Sequence, residues 1–312
     1  THALFQESVV FHDLGLVVVD EQHRFGVAQR QAMAEKGRAP HLLVMTATPI
    51  PRSLALTVYG DLDLSIIDEL PPGRRPVRTH LRFEDSRPKV IDFAREEIVA
   101  GGRVFFVYPL IDASEEIEAA ALKEHEESIR HAYPGVGVEV LHGQLDRTRR
   151  EKAISRFRDG SAQVLLATTV VEVGVDVPEA SLMIVESAQR FGLSQLHQLR
   201  GRVGRGDRQA WCILMAEAGL GDEARRRLEV MCGTNDGFEI AEADLEFRGP
   251  GELTGVRQWG PGGFRFANLF RDRKLIHLTK ELAEDCRSKG QLDRFLSALG
   301  VYHHVKAGWA GD

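Results

Sequence analysis

Residues 14–23 read LGLVVVDEQH, a short apolar run that ends in two adjacent acids. The run from Leu16 to Val19 is mostly β-branched and contains no polar residue, which predicts a strand buried on both faces of a parallel sheet. Ligands bind at the carboxyl ends of strands in open α/β sheets, and Asp20 and Glu21 follow this strand directly. Asp20 would hold Mg²⁺ through water, and Glu21 would orient or deprotonate an attacking water. Two solvated acids that open a loop explain the same residues equally well.

Length and composition indicate the class of the protein. The chain has 312 residues, enough for two domains, and 43% hydrophobic with 28% charged residues is ordinary for a soluble globular protein. No apolar run approaches the roughly 18 residues that a membrane-spanning helix needs, so we expect no contact with a membrane. The three cysteines are widely spaced and form no CxxC pair. This argues against a disulfide framework and a zinc site, and it fits a reducing cytoplasm.

The charge of the chain is distributed unevenly. The formal net charge of −6 by itself argues weakly against nucleic acid as a partner. However, residues 143–160 carry six basic and three acidic side chains, and residues 187–211 carry five arginines and one aspartate. The compensating acids lie in stretches such as 112–128, which we interpret as the solvated face of an amphipathic helix. Positive charge is therefore concentrated in two stretches.

Strands and helices alternate along most of the chain, which predicts the α/β class. The proline-rich segment ELPPGRRP at 69–76 interrupts the alternation and is interpreted as a linker. Three strand-like runs precede it, at 14–20, 41–47 and 62–68. The alternation restarts after the linker and continues for about 140 residues, which predicts a complete parallel sheet with right-handed crossovers. We expect a partial domain, a complete domain and a helical third part, at 1–72, 73–217 and 218–312.

The pattern after residue 217 is helical. A basic amphipathic stretch at 222–232 is followed by the turn GTNDG, and a second helical stretch at 238–247 ends at the glycine and proline of RGPGELTG. Two short helices with a tight polar turn predict an αα-hairpin, in which Asn235 or Asp236 is the N-cap of the second helix. Further helical segments are predicted in the tail, at 273–286 and 292–299.

Hydroxyl residues end a second strand in MTATPIPR (45–52). Thr46 and Thr48 would lie at the carboxyl end of a strand beside the one that bears Asp20. They could hydrogen-bond that carboxylate and report nucleotide state to the neighbouring domain. A simple turn is the alternative, because Pro49 and Pro51 alone would explain the local geometry.

The segment QLHQLRGRVGRG (195–206) is more specific. If it is helical, four side chains at spacings of 3, 4 and 3 lie on one stripe: Gln195, Gln198, Arg202 and Arg205. Arginine binds phosphate in a bidentate manner, so the two arginines could reach a γ-phosphate as arginine fingers. Glycine inside a helix costs about 1 kcal/mol relative to alanine. The glycines therefore indicate a close approach of the backbone to a ligand or another domain, and a basic surface helix is the alternative.

The stretch LLATTVVEVGVDVP (165–178) predicts a buried strand that runs into a polar loop. Its hydroxyls and glycine suit contacts to a phosphate backbone, and an acid suits a ribose hydroxyl. The residues concerned are Thr168, Thr169, Glu172, Gly174 and Asp176. In LHGQL (141–145), His142 ends another strand immediately before the first basic stretch. A plain strand with a bulge is the alternative for the longer segment.

These stretches, in this order, resemble the motifs of the superfamily 2 helicases and translocases. DEQH is similar to the metal-binding motif, TAT to the coupling motif, TTVVEVGVDVP to the fifth motif and QLRGRVGR to the sixth. Longer stretches narrow the resemblance to the RecG family over residues 1–260, among them DEQHRFGVAQR, MTATPIPRSLALTVYGDLDLSIIDELPPGR and DGFEIAEADLEFRGPGELTGVRQWG. The resemblance implies tandem RecA-like parallel-sheet domains, the first of them partial, followed by a translocation hairpin and a C-terminal helical tail.

The resemblance also implies a role for each matching residue. Asp20 and Glu21 would bind Mg²⁺ and activate water, and His23 would link nucleotide state to DNA. The residues implied to transmit that state or to contact DNA are Thr46, Thr48, His142, Thr168 and Thr169. At the nucleotide cleft the resemblance places Gly174 and Asp176, with Arg202 and Arg205 as arginine fingers assisted by Gln198. On the translocation hairpin it implies polar positions at Arg227, Arg248 and Gln258.

The activity implied by the resemblance is ATP-driven remodelling of branched duplex DNA in recombination and repair. Its cofactors would be ATP and Mg²⁺, and its substrates would be replication forks and Holliday junctions. A cytoplasmic monomer with a single-strand-binding protein as partner is the corresponding expectation. Binding of DNA should depend strongly on salt and little on base sequence.

Two features of the family are missing from the sequence. No GxxxxGK(S/T) phosphate loop and no Gly-Lys pair occurs, and the N-terminal wedge domain has no counterpart. Both would precede Thr1, which is neither a methionine nor part of a signal-like segment. We therefore expect a C-terminal motor fragment that by itself neither binds ATP well nor unwinds DNA.

Two other classes of protein would share some of these features. A transcription-repair coupling factor would share the hairpin, but it usually has a second acid where this chain has Gln22, and it lacks the ELPPGR linker. A non-catalytic module that only holds DNA would have no need of acids that face arginines across a cleft. The presence of Asp20, Glu21, Arg202 and Arg205 therefore argues against it.

Overall fold

The structure is a computed structural model that describes residues 4, 6, 8–21, 36–37, 40–46, 63, 65–67, 69, 71, 73–109, 115–168, 176–252 and 273–291. The chain divides into two compact units, one of residues 1–49 and 68–250 and the other of residues 50–67 and 251–312. Two separate parallel sheets belong to the first unit. In the parts of the chain that are described, no helix is long and apolar enough to span a bilayer.

The first sheet has two strands, β1 (Leu16–Val19) and β2 (His41–Val44), which pair in parallel. Val17 and Val19 are buried against a small apolar cluster that includes Leu42. Leu16 and Val18 face the other way and are 56% and 52% exposed. The prediction that this strand is buried on both faces is therefore wrong for the described structure, because the cluster covers one face only.

The second sheet has six strands in the order β3-β8-β7-β4-β6-β5, and every neighbouring pair is parallel. Its strands are β3 (Arg78–Phe83), β4 (Arg103–Val107), β5 (Val138–Leu141), β6 (Val164–Ala167), β7 (Ala180–Val185) and β8 (Trp211–Ala216). Strands β4, β6 and β7 are almost entirely buried, as expected for apolar runs in the middle of a parallel sheet. The predicted α/β class with a parallel sheet is confirmed.

Helices lie on both faces of this sheet. They are α1 (Arg87–Val99), α2 (Glu115–Ala132), α3 (Arg147–Asp159), α4 (Leu193–Arg200), α5 (Asp222–Gly233) and α6 (Gly237–Glu252). Local signals set several of their ends. Asp146 caps α3 by accepting a hydrogen bond from the Arg149 backbone N–H at 2.9 Å, and Gly160 ends that helix in a left-handed conformation.

The core consists of two layers, one on each side of the sheet. Alternate strand residues face opposite sides, so Phe105, Leu165 and Met183 meet one layer and Phe106, Leu166 and Ile184 meet the other. Helices α3 to α6 contribute to the first layer through Phe157, Leu196, Met231 and Ile240. Helices α1 and α2 contribute to the second through Val90, Ala94, Leu122 and Ile129. Because its six strands are parallel, their carboxyl ends all lie at one edge of this sheet.

The hairpin α5–α6 confirms one local prediction and corrects another. Asp236 is the N-cap of α6, because its carboxylate accepts a hydrogen bond from the Phe238 N–H at 2.7 Å. The helix does not end at the predicted glycine and proline but continues through Gly249 and Pro250 to Glu252. A proline this close to a C-terminus removes only one hydrogen bond from the last turns, so the helix can tolerate it.

Three further predictions concern the strand at 62–68 and the two helices of the C-terminal tail. Asp63, Ser65, Ile66 and Ile67 have no regular secondary structure, and Ile67 is 92% exposed. The strand prediction is wrong for these residues, because none of them pairs with a described strand. The predicted tail helix is present as α7 (Arg273–Ser288). The segment predicted to be helical at 292–299 lies outside the described residues.

Candidate nucleotide and DNA site

The predicted acidic pair lies at the carboxyl edge of the two-stranded sheet. Val19 pairs with Val44 in parallel register, and the Met45 N–H donates to the Val19 carbonyl at 2.7 Å. Asp20 with Glu21 on one strand and Thr46 on the other therefore leave the sheet at the same edge. The structure brings these three predicted residues together, and their roles stay a prediction.

The turn after β1 has an unusual backbone. Glu21 has a φ of 52°, in the left-handed region that residues other than glycine seldom adopt. Its N–H donates to Asp20 Oδ1 at 2.9 Å, which stabilises the turn. Strain of this kind, of about 1–2 kcal/mol, is commonly found where a side chain is held for function. Asp20 is exposed, and an accessible carboxylate of this type fits Mg²⁺, which proteins usually bind through one or two carboxylates plus substrate phosphates.

Several predicted residues lie outside the described part of the chain. They are His23, Thr48, Thr169, Glu172, Gly174 and Gln258. The backbone of Arg248 lies in α6, but its side chain is not described either. Within the described ranges, no group of three or more histidine, cysteine or acidic side chains is placed to hold a metal ion.

Asp176 and Arg205 form the central ion pair of the second candidate region. Arg205 Nη1 lies 2.9 Å from Asp176 Oδ1, and Arg205 Nε donates to the Gly201 carbonyl at 3.2 Å. The Asp176 carbonyl also accepts a hydrogen bond from Arg158 Nε of α3 at 3.3 Å. Asp176 therefore connects helix α3 with the arginine-bearing loop 201–206, and the roles of Asp176 and Arg205 at a nucleotide cleft stay a prediction.

The predicted stripe of side chains along a helix at 195–206 is wrong. Helix α4 ends at Arg200, so Gln198 belongs to the helix whereas Arg202 and Arg205 lie beyond it. Gly204 has a φ of 74°, and a Cβ at this position would lie 3.0 Å from Val77 Cγ2. The left-handed glycine turns the chain toward β8. Tertiary packing therefore overrides the helical spacing on which the stripe was based.

Gln195 has a different role from the one that the stripe implied. Its side-chain Oε1 accepts a hydrogen bond from the Gly192 N–H at 3.1 Å, which caps the amino end of α4. A Cβ on Gly206 would lie 2.7 Å from the Pro178 carbonyl oxygen, so the backbone here packs closely against another segment of the same unit. The predicted approach to a ligand or another domain stays a prediction. Gln198 and Arg202 are half-buried, and Arg205 is exposed.

His142 and Thr168 are neighbours at the carboxyl edge of the six-stranded sheet. Leu141 pairs with Ala167, and the Thr168 N–H donates to the Leu141 carbonyl at 3.2 Å. Thr168 is only 1% exposed, and among the described atoms its hydroxyl has no hydrogen-bond partner. The structure brings the two predicted residues together, and their contact with DNA stays a prediction.

The basic stretch after His142 is an exposed helix, α3. The side chains of Arg147 and Arg149 are 91% and 77% exposed, and among the described residues their ion pairs are with Glu151 of the same helix and with its N-cap, Asp146. Exposed pairs of this kind contribute little to stability, because water and salt screen them, so the arginines can exchange these partners for other anions. The helix therefore presents positive charge that phosphate groups could contact.

Arg227 of α5 points toward the turn that follows β7. Its Nη2 donates to the Gln189 carbonyl at 2.7 Å, while Gln189 Nε2 donates to Glu217 at 2.9 Å. Arg227 is half-buried. The predicted polar position on the hairpin is thus in contact with the segment that leads into α4.

Two buried charged residues were not predicted from the sequence. Arg200, at the end of α4, is 4% exposed and donates to backbone carbonyls of the α5–α6 turn. Glu186, after β7, is 5% exposed and accepts two hydrogen bonds from Arg87, which also pairs with Glu84. These hydrogen bonds, to Glu84 and then Glu186, raise the pKa of Arg87, and Arg87 lowers the pKa of Glu84. The sequence carried a signal for the burial of Arg200 only. This residue follows Leu193 and Leu196 at helical spacing, so it lies on the same buried face of α4.

His197 lies beside Arg200 and should make the stability of the chain depend on pH. Burial, and then the charge of Arg200, lower the pKa of His197 to about 4, although Asp236 opposes the shift. A histidine with a lowered folded-state pKa contributes stability that is present above its unfolded pKa of about 6.5. That contribution is lost as the pH falls from 6.5 toward 4, by about 3 kcal/mol at pH 4. Denaturant unfolding at pH 7, 5.5 and 4 measures the loss.

The comparison for this prediction is His197→Asn, which keeps a hydrogen-bond acceptor near Arg200 but does not titrate. We expect its free energy of unfolding to fall by about 3 kcal/mol less than that of the wild type between pH 7 and pH 4. His131→Asn, at an exposed position near the end of α2, is the control and should follow the wild type. Parallel curves for wild type and His197→Asn would contradict the prediction.

Two family models match this chain. Residues 89–207 match the helicase conserved C-terminal domain, which supports a RecA-like fold for the six-stranded sheet. Residues 234–294 match the model described as ATP-dependent DNA helicase RecG, domain 3, C-terminal. The two matches follow each other along the chain, as predicted for a motor domain and the hairpin after it.

Individual relatives give the same result. The chain is 52% identical over 316 residues to the ATP-dependent DNA helicase RecG of Pasteurella multocida, with 98% of this chain and 46% of that protein covered. It is 50% identical to the protein of the same name from Synechocystis, with 91% and 34% covered. A solved structure of RecG bound to a three-way DNA junction superimposes with a TM-score of 0.68 at 46% identity, covering 88% of this chain and 35% of that one. The chain thus spans about a third to a half of the length of these relatives.

Proposed function

This chain belongs to the RecG family over the residues that it contains, and from this premise we propose that it is the C-terminal motor part of an ATP-dependent helicase that remodels branched DNA. The observation that carries the proposal is the placement of Asp20 and Glu21 at the carboxyl edge of a parallel sheet, with Glu21 in a strained turn. A nucleotide-hydrolysing enzyme needs acids at this position, whereas a solvated loop has no need of the strain.

The proposed chemistry is phosphoryl transfer from ATP to water. Asp20 would bind Mg²⁺, which supplies neutralisation of phosphate charge, and Glu21 would orient or deprotonate the attacking water. Arg205, held by Asp176 at 2.9 Å, would stabilise charge on the transferred phosphoryl group, with Arg202 beside it and Gln198 in support. Gly174 would lie at the same cleft. His23, Thr46 and Thr48 would pass the nucleotide state on to the DNA-binding surface.

The proposed substrate is branched duplex DNA, as found at replication forks and Holliday junctions. The relative of known structure is bound to a three-way junction, which supports this class of substrate. The exposed arginines of α3 would supply phosphate contacts. His142, Thr168 and Thr169 would contribute further contacts to DNA. On the hairpin, Arg227, Arg248 and Gln258 would couple closure of the nucleotide cleft to movement along the duplex.

Several finer aspects of the proposal rest on the family resemblance. We propose domain boundaries at 1–72, 73–217 and 218–312, a monomeric state, a cytoplasmic location and a single-strand-binding protein as partner. The match of residues 234–294 to a RecG-specific model favours this family over a transcription-repair coupling factor. A module that only holds DNA is the second alternative. Unlike the proposed helicase, such a module would not hydrolyse ATP.

The test measures ATP hydrolysis by a full-length protein that contains this chain and is as long as its relatives. The rate is compared without DNA, with linear duplex and with a three-way fork. We expect fork DNA to stimulate turnover more than linear duplex of the same length, because recognition follows junction shape rather than base sequence. Both stimulation and binding should weaken steeply between 50 and 200 mM salt, a range over which several phosphate contacts lose affinity by about 10³-fold. Tight fork binding without turnover would instead identify a DNA-holding module.

A further inference from the structure

Arg200 is a buried arginine whose side chain ends at the turn of the α5–α6 hairpin. It is 4% exposed, and its Nη1 donates to the carbonyls of Met231 at 3.0 Å and Thr234 at 2.8 Å. Its Nη2 lies 3.5 Å from the Asn235 carbonyl and 3.2 Å from His197 Nδ1. Carbonyls at the C-terminus of a helix lack intrahelical donors and carry the negative end of the helix dipole. The guanidinium therefore caps the carboxyl end of α5.

The burial of Arg200 is costly and needs a reason other than stability. Among the described residues no carboxylate forms an ion pair with it, so only backbone carbonyls and a histidine ring solvate its charge. Apolar residues of similar size usually stabilise a buried position as well as or better than a charge does. What a planar, multidentate guanidinium adds is a defined geometry between two segments of the chain.

The backbone of Arg200 is joined directly to the arginine-bearing loop 201–206. Its carbonyl accepts a hydrogen bond from the Val203 N–H at 3.3 Å, and the Gly201 carbonyl accepts one from Arg205 Nε at 3.2 Å. Arg205 in turn is paired with Asp176. One residue thus contacts the loop of the proposed arginine fingers through its backbone and the hairpin turn through its side chain.

We propose that Arg200 is a positioning residue that transmits movement of loop 201–206 to the hairpin formed by α5 and α6. The inference rests on the proposed function, because it assigns to the loop a response to nucleotide. A shift of the loop around the γ-phosphate would move the end of α4, and the guanidinium would pull the three carbonyls of the hairpin turn in the same direction. Arg200 itself contacts neither nucleotide nor DNA in this scheme.

The hairpin has other attachments, which makes the proposal testable. Leu228, Met231 and Ile240 pack in the same core layer as Leu193 and Leu196 of α4. This apolar contact should keep the hairpin folded when the guanidinium is removed. It is non-directional, however, and cannot define a fixed geometry as several hydrogen bonds from one planar group do.

The deciding experiment compares wild type, Arg200→Met and Arg200→Lys at the full length of the relatives. It measures ATP turnover with fork DNA and the number of base pairs regressed per ATP. For Arg200→Met we expect turnover within about threefold of wild type, but about tenfold fewer base pairs per ATP. Arg200→Lys should recover part of the loss, because an ammonium can donate to some of the carbonyls but lacks the planar fork.

The matched control is Ser194→Ala, which removes a hydrogen bond of 3.2 Å between α4 and Asp244 of α6 without touching the loop. It should leave the number of base pairs per ATP unchanged. An unchanged ratio in Arg200→Met would overturn the inference, whether turnover is normal or falls in proportion with regression. Absence of DNA-stimulated turnover in the wild type would overturn the proposed function itself, and it is recognised without any variant.

Hydrogen exchange of backbone amides provides a readout that does not depend on activity. In the variants, the amides of residues 231–237 should exchange about tenfold faster than in wild type, while those of β4 and β7 should not change. If Arg200→Met does not fold, the exchange rates of residues 231–237 in Arg200→Lys test the inference instead. Equal protection of residues 231–237 in folded variant and wild type would show that the guanidinium does not hold the turn.

Discussion

Glu21→Gln lowers the rate of fork-stimulated ATP hydrolysis by about 10³-fold, the expected consequence of losing a general base. Glutamine has nearly the same shape as glutamate. The backbone N–H of residue 21 can still donate to Asp20 Oδ1, a hydrogen bond of 2.9 Å in the turn after β1. The turn and the cation ligand are therefore preserved, and only the carboxylate that orients or deprotonates water is lost. Turnover should fall while the affinities for ATP and fork DNA stay within about twofold.

The matched control is Asp13→Asn, which removes an exposed acid shortly before the same strand. It should leave turnover unchanged. Single-turnover hydrolysis measured beside the binding of a fluorescent ATP analogue separates chemistry from binding. Retention of wild-type turnover in Glu21→Gln would mean that another group activates the water, and the assignment of Glu21 would be withdrawn.

Arg205→Ala is expected to lower kcat by about 10³-fold, as the removal of an arginine finger typically does. The side chain is held toward Asp176 by an ion pair of 2.9 Å and toward Gly201 by a backbone hydrogen bond, so its position is defined before any ligand binds. Because a finger acts on charge that develops in the transition state, KM should change much less than kcat. Arg205→Lys should recover only part of the rate, because an ammonium lacks bidentate geometry.

Arg208→Ala is the control for this prediction. Arg208 lies three residues further along, is exposed, and donates to the Ala100 carbonyl at 2.8 Å, away from Asp176. Its removal should change kcat by no more than about twofold, because exposed single contacts contribute little. Equal losses in the two variants would indicate a general effect of positive charge on DNA binding, and the finger assignment would then be wrong.

Local patterns were sufficient for the class of the fold and for many of its strands and helices. Apolar runs such as 103–107 and 164–167 predicted buried parallel strands, because each run contains its own β-branched or aromatic residues and is flanked by turn residues. The cap of α6 was narrowed to Asn235 or Asp236 in the same way, because a capping side chain bonds to a backbone only two or three residues away. The position of the acids after β1 followed from the strand itself.

Contacts between distant residues decided the rest. The stripe at 195–206 failed because Gly204 turns the chain where it packs against Val77, more than a hundred positions earlier. The burial of one face of β1 depends on which cluster covers it and not on its four residues. The spacing of residues within a segment predicts neither the turn at Gly204 nor the face of β1 that is covered.

The sequence by itself therefore determined the parallel α/β class, the acids at the end of β1 and the resemblance to the RecG family. Only the tertiary structure showed that Asp176 pairs with Arg205, 29 residues away, and that Arg200 bonds to carbonyls 31 to 35 residues away. The physical reason is the range of the interactions. Propensities, caps and periodicity act within about one turn or strand, whereas the partner of a buried guanidinium is whichever carbonyl the packed helices bring within hydrogen-bond distance of it.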